Sequence, residues 1–150
     1  MNGDDKKIDL SRKIYESFWW LGLPLKLKNN QVKGWYGEWL AVQHLKKKSN
    51  FVVIEKNWLS VKDARRELDI VGVEDGTLVF VEVRARSVHS LVTGFQSLTK
   101  KKRNALQLAC KDFLKFYPQK FENYRLDVIE IDLDHSESNL FHHQNVSLFP

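Results

Sequence analysis

The chain predicts a mixed α/β fold: a helix, three strands, a second helix and a further strand, with the helices layered on one sheet. Three observations lead there. Two runs rich in Val, Ile, Leu and Phe flank Asp75-Gly76, the dipeptide suited to a two-residue type I′ turn, so residues 67–86 read as a β-hairpin. Gly34 to Lys48 and Thr99 to Tyr117 carry apolar residues at helical spacing. The alternating strand Tyr124 to Asp132 follows the second helix, a connection long enough to return the chain parallel to the hairpin's second strand. The first three strands are expected as an antiparallel meander, covered on one face by the flanking helices.

The hairpin carries the chemistry. With Glu74 opposite Thr77, the register sets Val73 against Leu78, Val71 against Phe80, Asp69 against Glu82 and Glu67 against Arg84, all on one face. Leu68, Ile70, Gly72, Val79, Val81, Val83 and Ala85 fall on the other face, as plain core. Directly opposed carboxylates have Cβ atoms roughly 4.5–5.5 Å apart and repel unless a cation lies between them. Magnesium takes one or two carboxylates plus water and phosphate oxygens, so Asp69 and Glu82 suit half of a phosphodiesterase metal site. Asp69, twelve residues and Glu82-Val83-Arg84 form a variant of the PD-(D/E)xK nuclease signature, with Arg where Lys is commonest. On spacing alone the pattern also fits an exposed strand that merely carries acids.

Residues 1–31 read as an N-terminal extension holding a short helix, capped by Ser11, with Ile14, Phe18 and Leu21 on one face and Gly22 and Pro24 ending it. Trp19 and Trp20, beside Lys26 and Lys28, leave two readings: a helix packed on the domain, or a surface for stacking bases or anchoring at an interface. The domain proper is taken as residues 32–150. In the helix from Gly34, residues Glu38, Ala41, Val42 and Leu45 form the inward stripe, so Glu38 must be paired, hydrogen-bonded or metal-bound. Phe51 to Trp58 is the first strand and 59–66 a loop. After the hairpin a polar loop containing Gly94 leads to the second long helix, capped by Ser97 or Thr99, with Leu106, Ala109, Cys110, Phe113, Leu114 and Tyr117 inward. Lys100, Lys101, Lys102 and Arg103 occupy its first turn, where the macrodipole already makes the end positive. Each cation there costs a few tenths of a kcal/mol up to about 1, and that unfavourable placement suggests phosphate binding. In the last strand Leu126, Val128 and Ile131 point inward. The tail with Asp134, His135, Glu137, His142 and His143 has metal-ligand residue types without zinc-like spacing.

One hundred and fifty residues, 43% hydrophobic with five Trp and nine Phe, are enough for one self-sufficient core. The net charge of +5 is uneven: residues 126–150 have five acids and no Lys or Arg, leaving 24 basic residues against 14 acidic ones before them. A basic body suits a polyanion. Cys110 is the sole cysteine, which excludes an intrachain disulfide or a thiolate metal site and points to a reducing compartment. The apolar run Phe18 to Leu25 is too short to span a bilayer, and Asp4, Asp5 and Asp9 do not suit a signal peptide, so a cytoplasmic protein without membrane association is expected. No Walker loop or dinucleotide fingerprint is present.

Glu67-Leu68-Asp69-Ile70-Val71, Val79-Phe80-Val81-Glu82-Val83-Arg84-Ala85-Arg86, Gly94 and Lys102 together resemble the YraN family of endonuclease-like proteins, from about Gly34 to Asp132. The resemblance implies a restriction-endonuclease-like core, a mixed sheet of αβββαβ order flanked by helices. It implies a nucleic-acid-binding protein, expected to hydrolyse phosphodiester bonds with Mg²⁺ or Mn²⁺ and to act on DNA. Asp69 and Glu82 would hold the metal, with Glu38, which matches the family's first-helix motif beside Gly37, completing or hydrogen-bonding the shell. Arg84 would stabilise charge on the reacting phosphate. Being permanently charged it cannot be a general base, so the metal or Glu67 would activate water. Lys102 aligns with the family's most regular lysine and is expected to position the nucleic-acid backbone, with Lys101, Arg86 and Arg66 as further contacts. Arg66 departs from the family, which usually has Gly there. Arg125 and Asp127 resemble a family pair and are expected to be structural. The rival readings are a non-catalytic DNA- or RNA-binding module on the same fold, and an interaction adaptor docking through its aromatic N-terminus.

Overall fold

A computed structural model describes residues 3–23, 29–48, 50–86, 98–133 and 139–147. The element order is α1 (Gly3–Trp20), α2 (Asn30–Lys46), β1 (Phe51–Ser60), β2 (Asp63–Glu74), β3 (Thr77–Arg86), α3 (Lys100–Phe116), β4 (Tyr124–Asp132) and β5 (Asn139–His143). The strands form one five-stranded sheet in sequence order, antiparallel except for the parallel pair β3–β4. The expected parallel return is therefore present. Gly94, Ser97, Lys26, Lys28 and the acids and His135 of the 134–138 segment lie outside the described residues.

The hairpin turns as its sequence requires: Asp75 and Gly76 have φ of 49° and 79°, both in the left-handed region that a type I′ turn demands. The ladder runs in the expected register from Glu74–Thr77 to Ile70–Val81. It ends there, so the expected ladder pairs Asp69–Glu82 and Glu67–Arg84 do not form, and Asp69 and Glu82 are neighbours across the splayed strands rather than directly opposed. The strict two-faced pattern also fails at one point. Ile70 packs with Val79 and Val81 beneath α2, whereas Leu68, expected on that same side, packs with Val71, Leu78 and Phe80 beneath α3. Asn57 of β1 is level with this break, between the pairs Lys56–Ile70 and Trp58–Leu68, and its φ of 51° is a conformation Asn tolerates better than most residues. The change of face falls at Asp69, between Leu68 and Ile70.

The sheet is covered on both faces, contrary to the one-sided cover expected. Ala41, Val42 and Leu45 of α2 pack on one face and Leu106, Ala109 and Phe113 of α3 on the other. The parallel crossover accounts for it: a central strand pairing on both edges is buried on both faces, and each face needs its own helix. Three boundaries also move. β1 runs on to Ser60 and β2 restarts at Asp63, so only a tight turn separates them where a loop over 59–66 was expected. α2 begins at Asn30, capped by Asn29, whose side chain accepts the Val32 N–H at 2.9 Å. The tail supplies an unforeseen strand, β5, from a stretch too short and polar to signal one.

α1 spans 18 residues, and Ser11 lies inside it rather than capping it. Its packed face is not Ile14, Phe18 and Leu21, which are exposed, but Tyr15 and Trp19, which meet Trp35, Tyr36 and Trp39 of α2 with ring centroids 5.0–6.2 Å apart. Aromatic pairs at such distances contribute beyond their buried area. At the sheet's other edge, buried Asp127 accepts hydrogen bonds from Arg125 (2.9 Å), His142 (2.9 Å) and the Asn145 N–H (2.9 Å), while Arg125 also bridges to Glu74. This network ties β5 to β4 and gives Arg125 and Asp127 a structural place.

α2 approaches β3 so closely at Gly37 that a Cβ there would lie 2.6 Å from the Ala85 Cβ. Gly37→Ala is therefore expected to destabilise the fold, because overpacking costs about 1–3 kcal/mol against the ~0.5–1 kcal/mol that Ala gains over Gly inside a helix. Urea unfolding of Gly37→Ala should show the loss, and the double variant with Ala85→Gly should recover much of it.

Candidate functional site

The site lies where the β2–β3 ladder ends. Beyond Ile70–Val81 the bonding partner of the Val83 N–H is no longer the β2 backbone but Asp69 Oδ2, at 2.7 Å. A carboxylate thus substitutes for a rung of the sheet. Glu82 projects beside it and is 2% exposed; Asp69 is 9% exposed. Lys102, from the first turn of α3, brings its Nζ to 3.1 Å from Glu82 Oε2, and Arg84 Nη1 lies 3.7 Å from Oε1. The Lys102 ammonium thus meets Glu82 at Oε2, and the Arg84 guanidinium lies on the side of Oε1. Asp69, Glu82, Arg84 and Lys102 line one cleft of about 460 Å³, with Lys33 and Glu38 of α2 on its wall.

The electrostatics follow from the burial. Loss of water, then the charge of Glu82, pushes the Asp69 carboxyl well above its ordinary range, against the pull of the Val83 N–H and Lys102. Burial likewise raises Glu82, with Lys102 and Arg84 acting the other way. Lys102 would lose its proton more easily through burial, yet Glu82 and Asp69 more than compensate and hold its pKa above the usual lysine value.

Glu38 is on the inward side of α2, as its spacing demanded, but its Oε2 is taken by Arg12 Nη2 and Asn57 Nδ2, both at 2.7 Å. Among the described residues no three His, Cys, Asp or Glu side chains converge closely enough to hold a metal ion. The expected trio of Asp69, Glu82 and Glu38 is therefore a pair in this structure, with the third carboxylate on the cleft wall. The donor set still suits a hard cation: two carboxylates lining one open cleft are what Mg²⁺ accepts alongside water and phosphate. Glu67 is half-buried and near enough to raise Glu82. Thr99 caps α3 by accepting the Lys102 N–H at 3.2 Å, and Lys101 is exposed beside it. Arg66 is not on the cleft wall; its Nη1 binds Asp112 Oδ2 at 2.8 Å, and Ser60 Oγ binds the same oxygen at 2.6 Å. Arg86 ends β3, and its side chain lies outside the described residues. Asn57 and Arg12 are participants sequence reasoning missed. Neither carries a local signal, since each acquires its role only through contact with Glu38.

A five-stranded mixed sheet between helices, with paired acidic residues where a central hairpin splays, defines a restriction-endonuclease-like α/β domain. The profile of uncharacterised protein family UPF0102 matches residues 37–131. The chain belongs to this family, the YraN family. UPF0102 proteins of Desulfitobacterium hafniense (36% identical, covering 73% of this chain and 88% of the relative), Syntrophomonas wolfei (32%; 75% and 95%) and Chloroherpeton thalassium (30%; 82% and 92%) are similar to it. α1 precedes the matched stretch. No helix among the described residues is long and apolar enough to cross a membrane.

The carboxylate pair has a pH consequence. Folded Asp69 and Glu82 keep protons that the unfolded chain releases near pH 4. The folded state then binds more protons, so their contribution to stability falls as pH rises through the raised values. In chelator, the stability of Asp69→Asn relative to wild type should therefore grow between pH 4 and pH 8. Chemical unfolding across that range measures it, and a constant difference would show the pair to be uncoupled from folding.

Proposed function

We propose that this chain binds nucleic acid and hydrolyses its phosphodiester bonds with a divalent cation, Mg²⁺ or Mn²⁺, held by Asp69 and Glu82. The observation that carries the reading is the burial of two carboxylates from adjacent splayed strands in one open cleft with Lys102 and Arg84. A structural ion pair has no use for two like charges side by side, whereas a divalent cation between them would offset both. A bound cation supplies charge neutralisation and a more acidic water.

The chain's own groups divide the remaining tasks. Lys102, held protonated by Glu82 and Asp69, is a cation at the cleft and not a base. Arg84, 31% exposed at the side chain, offers a planar fork to phosphate oxygens at the cleft mouth. Glu67, half-buried on β2, is the carboxylate left to accept a proton from water. Glu38, fixed by Arg12 and Asn57, orients the cleft wall and becomes a ligand only if Arg12 releases it. DNA is the expected substrate, and Lys101 and Lys33 extend the positive rim for its backbone. One observation favours the rival, a non-catalytic binding module: Glu82 and Glu38 each already have a cationic partner, Lys102 and Arg12.

A panel of single-stranded, duplex and junction oligonucleotides, incubated with Mn²⁺ or with chelator, separates the two. Metal-dependent cleavage is expected in wild type, lost by about 10²–10³-fold in Asp69→Asn or Glu82→Gln, the cost typical of removing a preorganised charge. Mn²⁺ should also raise the melting temperature of wild type but not of Glu82→Gln. Binding without cleavage and without a metal-dependent shift would establish the module instead.

A further inference from the structure

A second and larger cleft, about 780 Å³, opens between α1 and the sheet, lined by Lys13 and Trp20 of α1, Trp39 and Lys46 of α2, and Lys56 of β1. Two residues belong to both clefts: Glu38 and Asp69. These two carboxylates therefore stand between the clefts, one leading away past Lys102 and Arg84, the other lying against α1. The two tryptophans at the end of α1 have opposite fates. Trp19 is 6% exposed in the aromatic packing, whereas Trp20, on the wall of the α1 cleft, is 75% exposed. Its ring is held by a helix that Arg12 pins to Glu38 at 2.7 Å and that Trp19 anchors to α2.

We propose that the α1 cleft is a channel for single-stranded nucleic acid, with a base stacked on Trp20 and phosphates on Lys13, Lys46 and Lys56, through which the strand reaches or leaves the carboxylates. The inference rests on the reading of the carboxylate cleft as a nucleic-acid site and names the form of its substrate. Three features select this occupant. Lys13, Lys46 and Lys56 line the α1 cleft, where Glu16 is offset by Arg12 and Lys56, and Lys33, Arg84 and Lys102 line the other, with Asp69 and Glu38 shared between them, so a polyanion is attracted to both arms and meets carboxylates between them. Base faces stack on exposed aromatic rings in basic grooves without sequence preference. A volume in the ~300–1,000 Å³ range of small-molecule sites admits an extended strand or a flipped nucleotide but not a duplex. Glu16, which holds both Arg12 (3.0 Å) and Lys56 (3.7 Å), keeps the two walls of the channel together.

Fluorescence anisotropy of a labelled oligothymidine and of a matched duplex, in chelator, tests the channel separately from chemistry. Wild type should bind the single strand more tightly than the duplex. Trp20→Ala should weaken single-strand binding about tenfold, Trp20→Phe should restore most of it, and Lys46→Ala should reduce the slope of log K against log salt by about 0.7. Trp20 is exposed, so circular dichroism of the variants should match wild type. Asp69→Asn should bind the oligothymidine at least as tightly as wild type. If wild type binds in this Trp20-dependent way yet cleaves nothing with Mn²⁺, the channel stands and the nuclease reading fails. If Trp20→Ala leaves single-strand affinity unchanged, or the duplex binds equally well and with the same Trp20 dependence, the channel is overturned whether or not the protein cuts.

Discussion

Two carboxylates share a dry corner of this sheet, and much of the architecture around them follows from that constraint. Asp69 and Glu82 come from neighbouring strands, where like charges repel and where burial removes the water that would screen them. The fold does not resolve this by distance. It ends the β2–β3 ladder, gives the Asp69 oxygen to the Val83 N–H, and brings Lys102 in from the first turn of α3. Lys102 and Arg84 both face Glu82, while Asp69 takes the Val83 N–H; a further cation between the two carboxylates would relieve what repulsion is left.

The same corner depends on close approach between layers. Glu38 reaches the cleft wall because Gly37 lets α2 sit against Ala85; any side chain there would lift the helix and its carboxylate away from β3. Asn57, in a left-handed conformation level with the break in β2, then supplies one of the two hydrogen bonds that hold Glu38. Arg12 supplies the other from outside the family-matched stretch. α1 is thus joined to the conserved-fold region through the site itself, and not only through its aromatic face, which makes the extension part of the site's electrostatics.

The far edge is organised differently. Asp127 is even less exposed than Asp69, but its two oxygens accept from Arg125, His142 and the Asn145 N–H. Burial alone would raise its pKa; these donors instead hold it below the ordinary carboxylate value. The contrast between a satisfied buried acid and an under-satisfied pair separates a structural ion network from a candidate reactive site more clearly than burial does.

The hairpin, its turn, its register from Glu74–Thr77 to Ile70–Val81, both long helices and the parallel return of β4 were legible in the sequence because each rests on local spacing: Asp75-Gly76 admits few other turns, and a period of two or 3.6 residues is a local pattern. The candidate residues Asp69, Glu82, Arg84 and Lys102 were legible for the same reason, with a family resemblance to weigh them. What the sequence could not determine was anything decided by contact between segments remote in the chain. Leu68 packs on the face opposite Ile70, which strict alternation does not foretell. Arg66 went to Asp112 rather than to the cleft, Glu38 to Arg12 and Asn57 rather than to a metal set, and Trp19 and Trp20, adjacent in sequence, parted into core and surface. Alternation and composition set which residues can be buried or charged; only the packing of layers decides which partner each charge meets, because Coulomb and hydrogen-bond energies fall off over a few ångströms that local sequence does not encode.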